Sequence, residues 1–135
     1  MAHDANAMAE DYVQLWDVSG AKDLADRLFA PDFIDHNLQP GQGPGVQGVK
    51  DIVAVYHSVF PDLRVSNDDV VASGDRVTVR WSATGTHDGD QLGVPATHRR
   101  VRLTGIDILR IHEGRIAERW GETNGLEMMQ QVSPS

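Results

Sequence analysis

The chain contains no cysteine. That removes both a disulfide framework and a thiolate nucleophile. It has no apolar run of the roughly 18 residues that a membrane-crossing helix needs. Its first residues, MAHDANAMAED, lack the basic region followed by an apolar stretch that marks a secretory leader. A soluble, cytoplasmic protein is the expectation. Positive charge is scarce: 12 Lys and Arg stand against 20 Asp and Glu, for a formal net charge of −8. Nucleic acid and anionic membranes are held by clustered cations. Arg99-Arg100 with Arg102 is the only local basic run and is too short for that task, so neither partner is expected.

Several chemical signatures are also missing. There is no His-x-His, no His-x-x-x-His and no Cys pair, so no metal is expected. The glycines between Gly41 and Gly48 lack the Lys-Ser/Thr ending of a phosphate-binding loop. No Gly-x-Ser-x-Gly elbow occurs. Covalent catalysis is not favoured, which leaves acid/base work or binding.

What is present reads as one domain over residues 1–135, with 133–135 as a disordered tail. Met8, Tyr12, Leu15 and Trp16 recur at helical spacing and predict a helix over 5–18. A second helix is predicted over 21–29, before Pro31, and then a short extended piece, Asp32 to Asn37. The Gly- and Pro-rich segment 38–48 reads as a loop and a candidate lid. Ile52, Val53, Tyr56 and Val59 mark a third helix over 49–60. From Leu63 the period changes to two, giving strands over 63–72 and 76–87, a loop over 88–98, a hairpin over 101–124 and a short terminal helix. Helices first and antiparallel strands after give an α+β fold, with helices packed on one face of a curved sheet and a conical pocket between them.

The hairpin carries the most informative residue. Asp107 stands among Val101, Leu103, Leu109 and Ile111, where a carboxylate is costly to bury unless it is paired or has a task. Its neighbours depend on the turn. A two-residue type I′ loop at Glu113-Gly114 would put Asp107 on the face of Trp120, but that turn favours Asn or Asp at the first position. A three-residue loop, His112-Glu113-Gly114 with a G1 bulge, fits better. It sets Asp107 opposite Arg119, with Trp120 and Glu122 on the other face. Arg119 would then keep Asp107 ionised and lower its pKa. The pair is either a structural ion pair or part of a pocket lining.

His36 either caps local backbone or points into the cavity as an acid or base. His87 ends the apolar face of Val77, Val79, Trp81, Ala83 and Gly85, as a satisfied core histidine or a pocket residue. His57, His98 and His112 read as surface residues.

Several pieces together resemble one family: DFIDHN at 32–37, FPDL at 60–63, Gly74 to Trp81, GTHDG at 85–89, GVPAT at 93–97, residues 104–120 and NGLEMMQQ at 124–131. Over residues 8–131 the chain resembles the SnoaL-like polyketide cyclases of the NTF2-like superfamily. The resemblance implies a cone-shaped barrel, a deep apolar pocket, homodimers through the sheet and cofactor-free ring closure by intramolecular aldol chemistry. His36 and His87 match family histidines. In many members the residue after Glu-x-Trp is an Asp, the acid/base of the aldol cyclases; here Gly121 stands there. A later family Asp is replaced by Asn124, and Glu122 should point to the other face.

The site expected from all this has Asp107 as base or anchor, Arg119 as its partner and His36 as a donor near the reacting carbonyl. His87, Trp81, Tyr56, Trp120, Glu122 and Asn124 are expected to meet the substrate. No cofactor is expected. Cycloaddition is a second ring-closing chemistry open to such a pocket. The other readings are epoxide hydrolysis or epoxide-opening cyclisation, with Glu122 or Asp35 as a second acid, and a small-molecule binding or dimerisation module.

Overall fold

The computed structural model describes residues 5–20 and 23–133. The expected start of the second helix at 21–22, the N-terminal residues 1–4 and tail residues 134–135 lie outside the described residues. Helices α1 (Ala5–Trp16), α2 (Leu24–Leu28) and α3 (Gly45–Val59) come early, and α4 (Gly125–Val132) closes the chain. The strands are β1 (Phe29–Asp35), β2 (Arg64–Ser73), β3 (Arg76–Thr86), β4 (Arg100–His112) and β5 (Arg115–Thr123). They form one sheet in the order β1-β5-β4-β3-β2. All neighbours are antiparallel except β1, which runs parallel to β5 at the edge.

The alternation read in β3 carries over: Val77, Val79, Ala83 and Gly85 are buried and the residues between them are not. Helices α1 and α3 lay their apolar stripes on this inner face. Tyr12 and Val13 of α1 join Phe29, Phe33, Val79, Leu109 and Ile116 in one core cluster. Tyr56, Val59 and Phe60 join Leu63, Ala83, Val101 and Leu103 in a second. Trp16, Val65 and Trp81 pack against both clusters. No helix among the described residues is long and apolar enough to cross a membrane.

Three sequence expectations are revised. Residues 32–35 of the expected extended piece are the end of a longer strand that begins at Phe29, inside the expected second helix, while His36 and Asn37 lie beyond it. Burying Phe29, Ala30 and Phe33 against the sheet outweighs the local helix pattern. The third helix starts at Gly45 rather than Val49. Its glycines looked like loop punctuation, but Gly48 is buried, and a Cβ there would lie 1.8 Å from the Gly43 carbonyl oxygen. The hairpin turn is the two-residue form: His112 pairs with Arg115, and Glu113 and Gly114 take φ of 51° and 79°. A bulge follows between the Arg110 and Ile111 pairings, so Ile116 and Ala117 are both buried. Asp107 therefore faces Gly121 across the ladder, and Arg119 faces Leu109. The bulge restores the expected faces, with Asp107 and Arg119 inward, although the pairing itself differs.

Candidate active site

The inner face and the helices form a pocket that opens to solvent. Trp16, Tyr56 and Trp81 line it with Val13, Leu63, Val65, Ala83 and Leu103. Its polar wall is Tyr12, Asp107 and Arg119, with Gln39 and Thr123 nearby.

These polar groups form one network. The Tyr12 hydroxyl donates to Asp107 Oδ2 at 2.7 Å. Arg119 donates from Nε to the Tyr12 hydroxyl at 3.0 Å and from Nη2 to Asp107 Oδ1 at 3.1 Å. Its Nη1 reaches Asp35 Oδ1 at 2.9 Å and the Asn37 carbonyl at 3.3 Å. Asp35 also accepts from the Asn37 backbone and from Gln42 Nε2. Asn37 in turn accepts the Gly121 N–H at 2.9 Å, which ties the start of the 38–44 loop to β5.

Burial pushes the Asp107 carboxyl above its ordinary value, and this outweighs the Arg119 charge and the Tyr12 hydrogen bond that pull it down. The lowering expected from Arg119 alone is thus reversed. Burial likewise raises the Tyr12 phenol, helped by the Asp107 charge. Burial alone would weaken the Arg119 cation, but Tyr12, Asp107 and Asp35 around it raise its pKa further. Asp107 uses two of its roughly four acceptor sites on Tyr12 and Arg119, so it can still accept from a ligand in the cavity.

Gly121 has a spatial reason. A Cβ there would lie 2.0 Å from Asp107 Oδ1 and 2.5 Å from Arg119 Nη2. The Asp107 carboxylate occupies the volume into which a side chain at 121 would grow.

Asp107, Arg119, Tyr56 and Trp81 thus meet at one cavity. The remaining expected site residues lie elsewhere. Asp35 is in register with Arg119, and the His36 N–H donates to the Arg119 carbonyl at 2.9 Å. Strand alternation then sends Asp35 inward and His36 outward. The His36 ring stacks on Trp120 at 4.6 Å, and its Nε2 lies 3.2 Å from Glu118 Oε1. Trp120 belongs to this outer face, with the Arg76 guanidinium 4.7 Å from its ring centre. Glu122 is also outside and exposed. His87 is buried away from the cavity, its Nδ1 accepting the Thr97 N–H at 3.2 Å and lying 2.9 Å from the Thr97 hydroxyl. It anchors the 88–98 loop. Asn124 caps α4, accepting the Glu127 N–H at 3.1 Å. His57 is not purely a surface residue, since its Nε2 lies 2.8 Å from the Trp16 carbonyl.

Sequence reasoning missed Tyr12 and Gln39 as cavity residues. Tyr12 sits in an apolar helix stripe, and nothing local separates a packing tyrosine from a hydrogen-bonding one. Gln39 lies in a segment without periodicity. Among the described residues, no group of three or more His, Asp or Glu side chains could hold a metal ion.

The model of the SnoaL-like polyketide cyclases matches residues 6–132. The chain belongs to that family. No curated protein matches the chain. Among solved structures, TsrD from Streptomyces laurentii superposes with a TM-score of 0.87 at 26% identity, covering 98% of this chain and 98% of its own. IdmH of Streptomyces antibioticus, a candidate polyketide cyclase, gives 0.83 at 28% identity over 96% of this chain and 99% of its own. A candidate polyketide cyclase of Bacillus cereus ATCC 10987 gives 0.83 at 28% identity over 95% of this chain and 79% of its own. The SnoaL-like assignment fixes the fold as NTF2-like, with α1 and α3 against the sheet that carries Asp107.

Proposed function

We propose that this SnoaL-like domain closes a ring of an apolar, polyketide-type intermediate inside the cavity, without a cofactor. The observation that carries the reading is one buried carboxylate, Asp107, in the wall of a cavity lined mainly by carbon, with its pKa raised toward a useful base. Asp107 takes the proton from a carbon next to a carbonyl. The C–H electron pair becomes an enolate, whose carbon attacks a second carbonyl of the same molecule. A C–C bond forms, and the new alkoxide recovers the proton from Asp107. No atom is gained or lost. Tyr12 and Arg119 hold the carboxylate in place, and the aromatic wall folds the chain so that the reacting carbons meet. Asp107 does the work that the family gives to the residue now replaced by Gly121. The domain acts as a single unit, as a cytoplasmic homodimer through the outer sheet face.

Asp107→Asn tests the assignment with a candidate linear polyketone. A loss of roughly 10²- to 10⁴-fold in rate is expected. Turnover at the wild-type rate sinks the base role and leaves only shape-driven closure, such as cycloaddition.

One observation favours a second reading. Arg119 bridges two carboxylates, 2.9 Å from Asp35 and 3.1 Å from Asp107. Such a pair suits epoxide opening, one acid protonating the epoxide oxygen while the other activates water. Heavy oxygen from labelled water appears in the product of hydrolysis and not in the product of cyclisation.

A further inference from the structure

The Tyr12 hydroxyl and four of the five Arg119 N–H groups beside Asp107 are committed. Arg119 gives Nε to Tyr12, Nη2 to Asp107 and Nη1 to Asp35 and the Asn37 carbonyl. Tyr12 gives its single proton to Asp107. Tyr56 donates to Gln39 Oε1 at 3.4 Å. Among the described cavity-lining side chains, the uncommitted N–H and O–H groups are the second Nη2 N–H of Arg119, the Gln39 amide, the Trp16 and Trp81 indoles and the Thr123 hydroxyl.

Gln39 is distinguished by its place. It lines the main cavity and also the small chamber behind Arg119, where Tyr12, Asp35 and Gln42 are its neighbours. Its backbone N–H is fixed on Gln42 Oε1 at 3.0 Å, and Gln42 Nε2 reaches Asp35 Oδ2 at 3.3 Å. The segment that carries Gln39 is thereby moored to the same carboxylate that Arg119 holds. Tyr56 occupies the amide oxygen, which leaves the NH₂ end for a ligand.

We propose that the Gln39 amide is a catalytic residue that donates to the carbonyl oxygen of the substrate, a ketone or ester whose α-carbon loses its proton to Asp107. This rests on the cyclase reading. When the C–H pair moves into the enolate, negative charge collects on that oxygen. A fixed N–H donor aimed there lowers the barrier. A neutral amide has a further advantage over a cation: it does not stabilise the ionised Asp107 and so does not weaken the base.

The probes are 4-nitrophenol, whose oxygen mimics the enolate oxygen, and 4-nitrotoluene, which has the same ring and nitro group without it. Both should bind the wild-type protein. Gln39→Leu should weaken 4-nitrophenol about tenfold and leave 4-nitrotoluene unchanged, the value of one hydrogen bond. Gln39→Met should repeat the result, and Tyr56→Phe should give a smaller selective loss. Equal weakening of both probes, or of neither, makes Gln39 a wall residue and overturns the proposal. A selective loss found in Thr123→Val, Trp16→Phe or Trp81→Phe in place of the Gln39 variants also overturns it, by naming another donor. If neither probe binds the wild-type protein, the cavity is not a ligand site, and the cyclase reading falls with it.

Discussion

Asp17 and Asp107 are both buried carboxylates, 4% and 2% exposed, yet their surroundings drive them in opposite directions. Asp17 follows α1 and faces two main-chain amides and a hydroxyl. Its Oδ1 accepts the Ser19 N–H at 2.9 Å and the Ser19 hydroxyl at 2.6 Å, and its Oδ2 accepts the Val65 N–H at 2.9 Å. Burial alone would raise its pKa, but these donors and Arg64 together hold it below the usual carboxylate range. Asp107 has two side-chain partners, Tyr12 of α1 and Arg119 of the neighbouring strand β5, and no backbone donor among its hydrogen bonds, and burial wins. A carboxylate wrapped in main-chain amides is a fastening. One held by an arginine and a tyrosine at a cavity wall keeps acceptor capacity for something else.

This contrast can be tested from both sides. The largest effect is expected from Asp107→Asn, which should abolish most turnover while leaving the near-ultraviolet circular dichroism unchanged. Asp17→Ala should do the reverse. It strands the Val65 and Ser19 donors and should cost about 3 kcal/mol in urea unfolding, with turnover per folded molecule retained.

Gly121→Ala comes next. Its Cβ would meet Asp107 Oδ1 at 2.0 Å, so the carboxylate must move, and a loss of roughly tenfold in rate is expected. Moving the acid across the ladder, with Asp107→Gly and Gly121→Asp together, should recover part of what Asp107→Asn loses. Recovery no better than Asp107→Asn alone would mean that the volume above Gly121 is not what matters.

The pH dependence separates the two acids by sign. The Asp107 pKa is raised in the folded protein, so the folded state holds more protons than the unfolded state above about pH 3.9. Its contribution to stability therefore falls as pH climbs through that window, and as a base its rate rises there. The Asp17 pKa is lowered, so its contribution is present above about pH 3.9 and is lost as pH falls through its folded value. Urea titrations of each Asp→Asn variant between about pH 3 and 7 should remove one slope and leave the other. The smallest effect belongs to His36→Ala. It breaks only outer-face contacts with Trp120 and Glu118 and should change turnover less than about twofold.

Much of the fold was legible because strand alternation and helix stripes are local. The inner face of β3 could be read residue by residue. The inward direction of Asp107 and Arg119 was also legible, although for an incomplete reason. The turn takes the strained two-residue form despite Glu113, and a bulge at Ala117 compensates. Neither feature has a strong sequence signal, because a bulge residue looks like any other small apolar residue. His36 was misplaced because its direction depends on which strand pairs with β1, a contact between residues more than 80 positions apart. For the same reason Tyr12 could not be linked to Asp107, 95 positions away.

The placement of the indoles has a practical consequence. Of the three tryptophans, Trp16 and Trp81 face the cavity, while Trp120 lies outside under His36 and near Arg76. The protein therefore carries its own optical reporter. A molecule entering the cavity should change the emission of the inner pair, and a Trp120→Phe background would isolate that signal. Candidate intermediates could then be ranked by titration in a fluorimeter before any product is known.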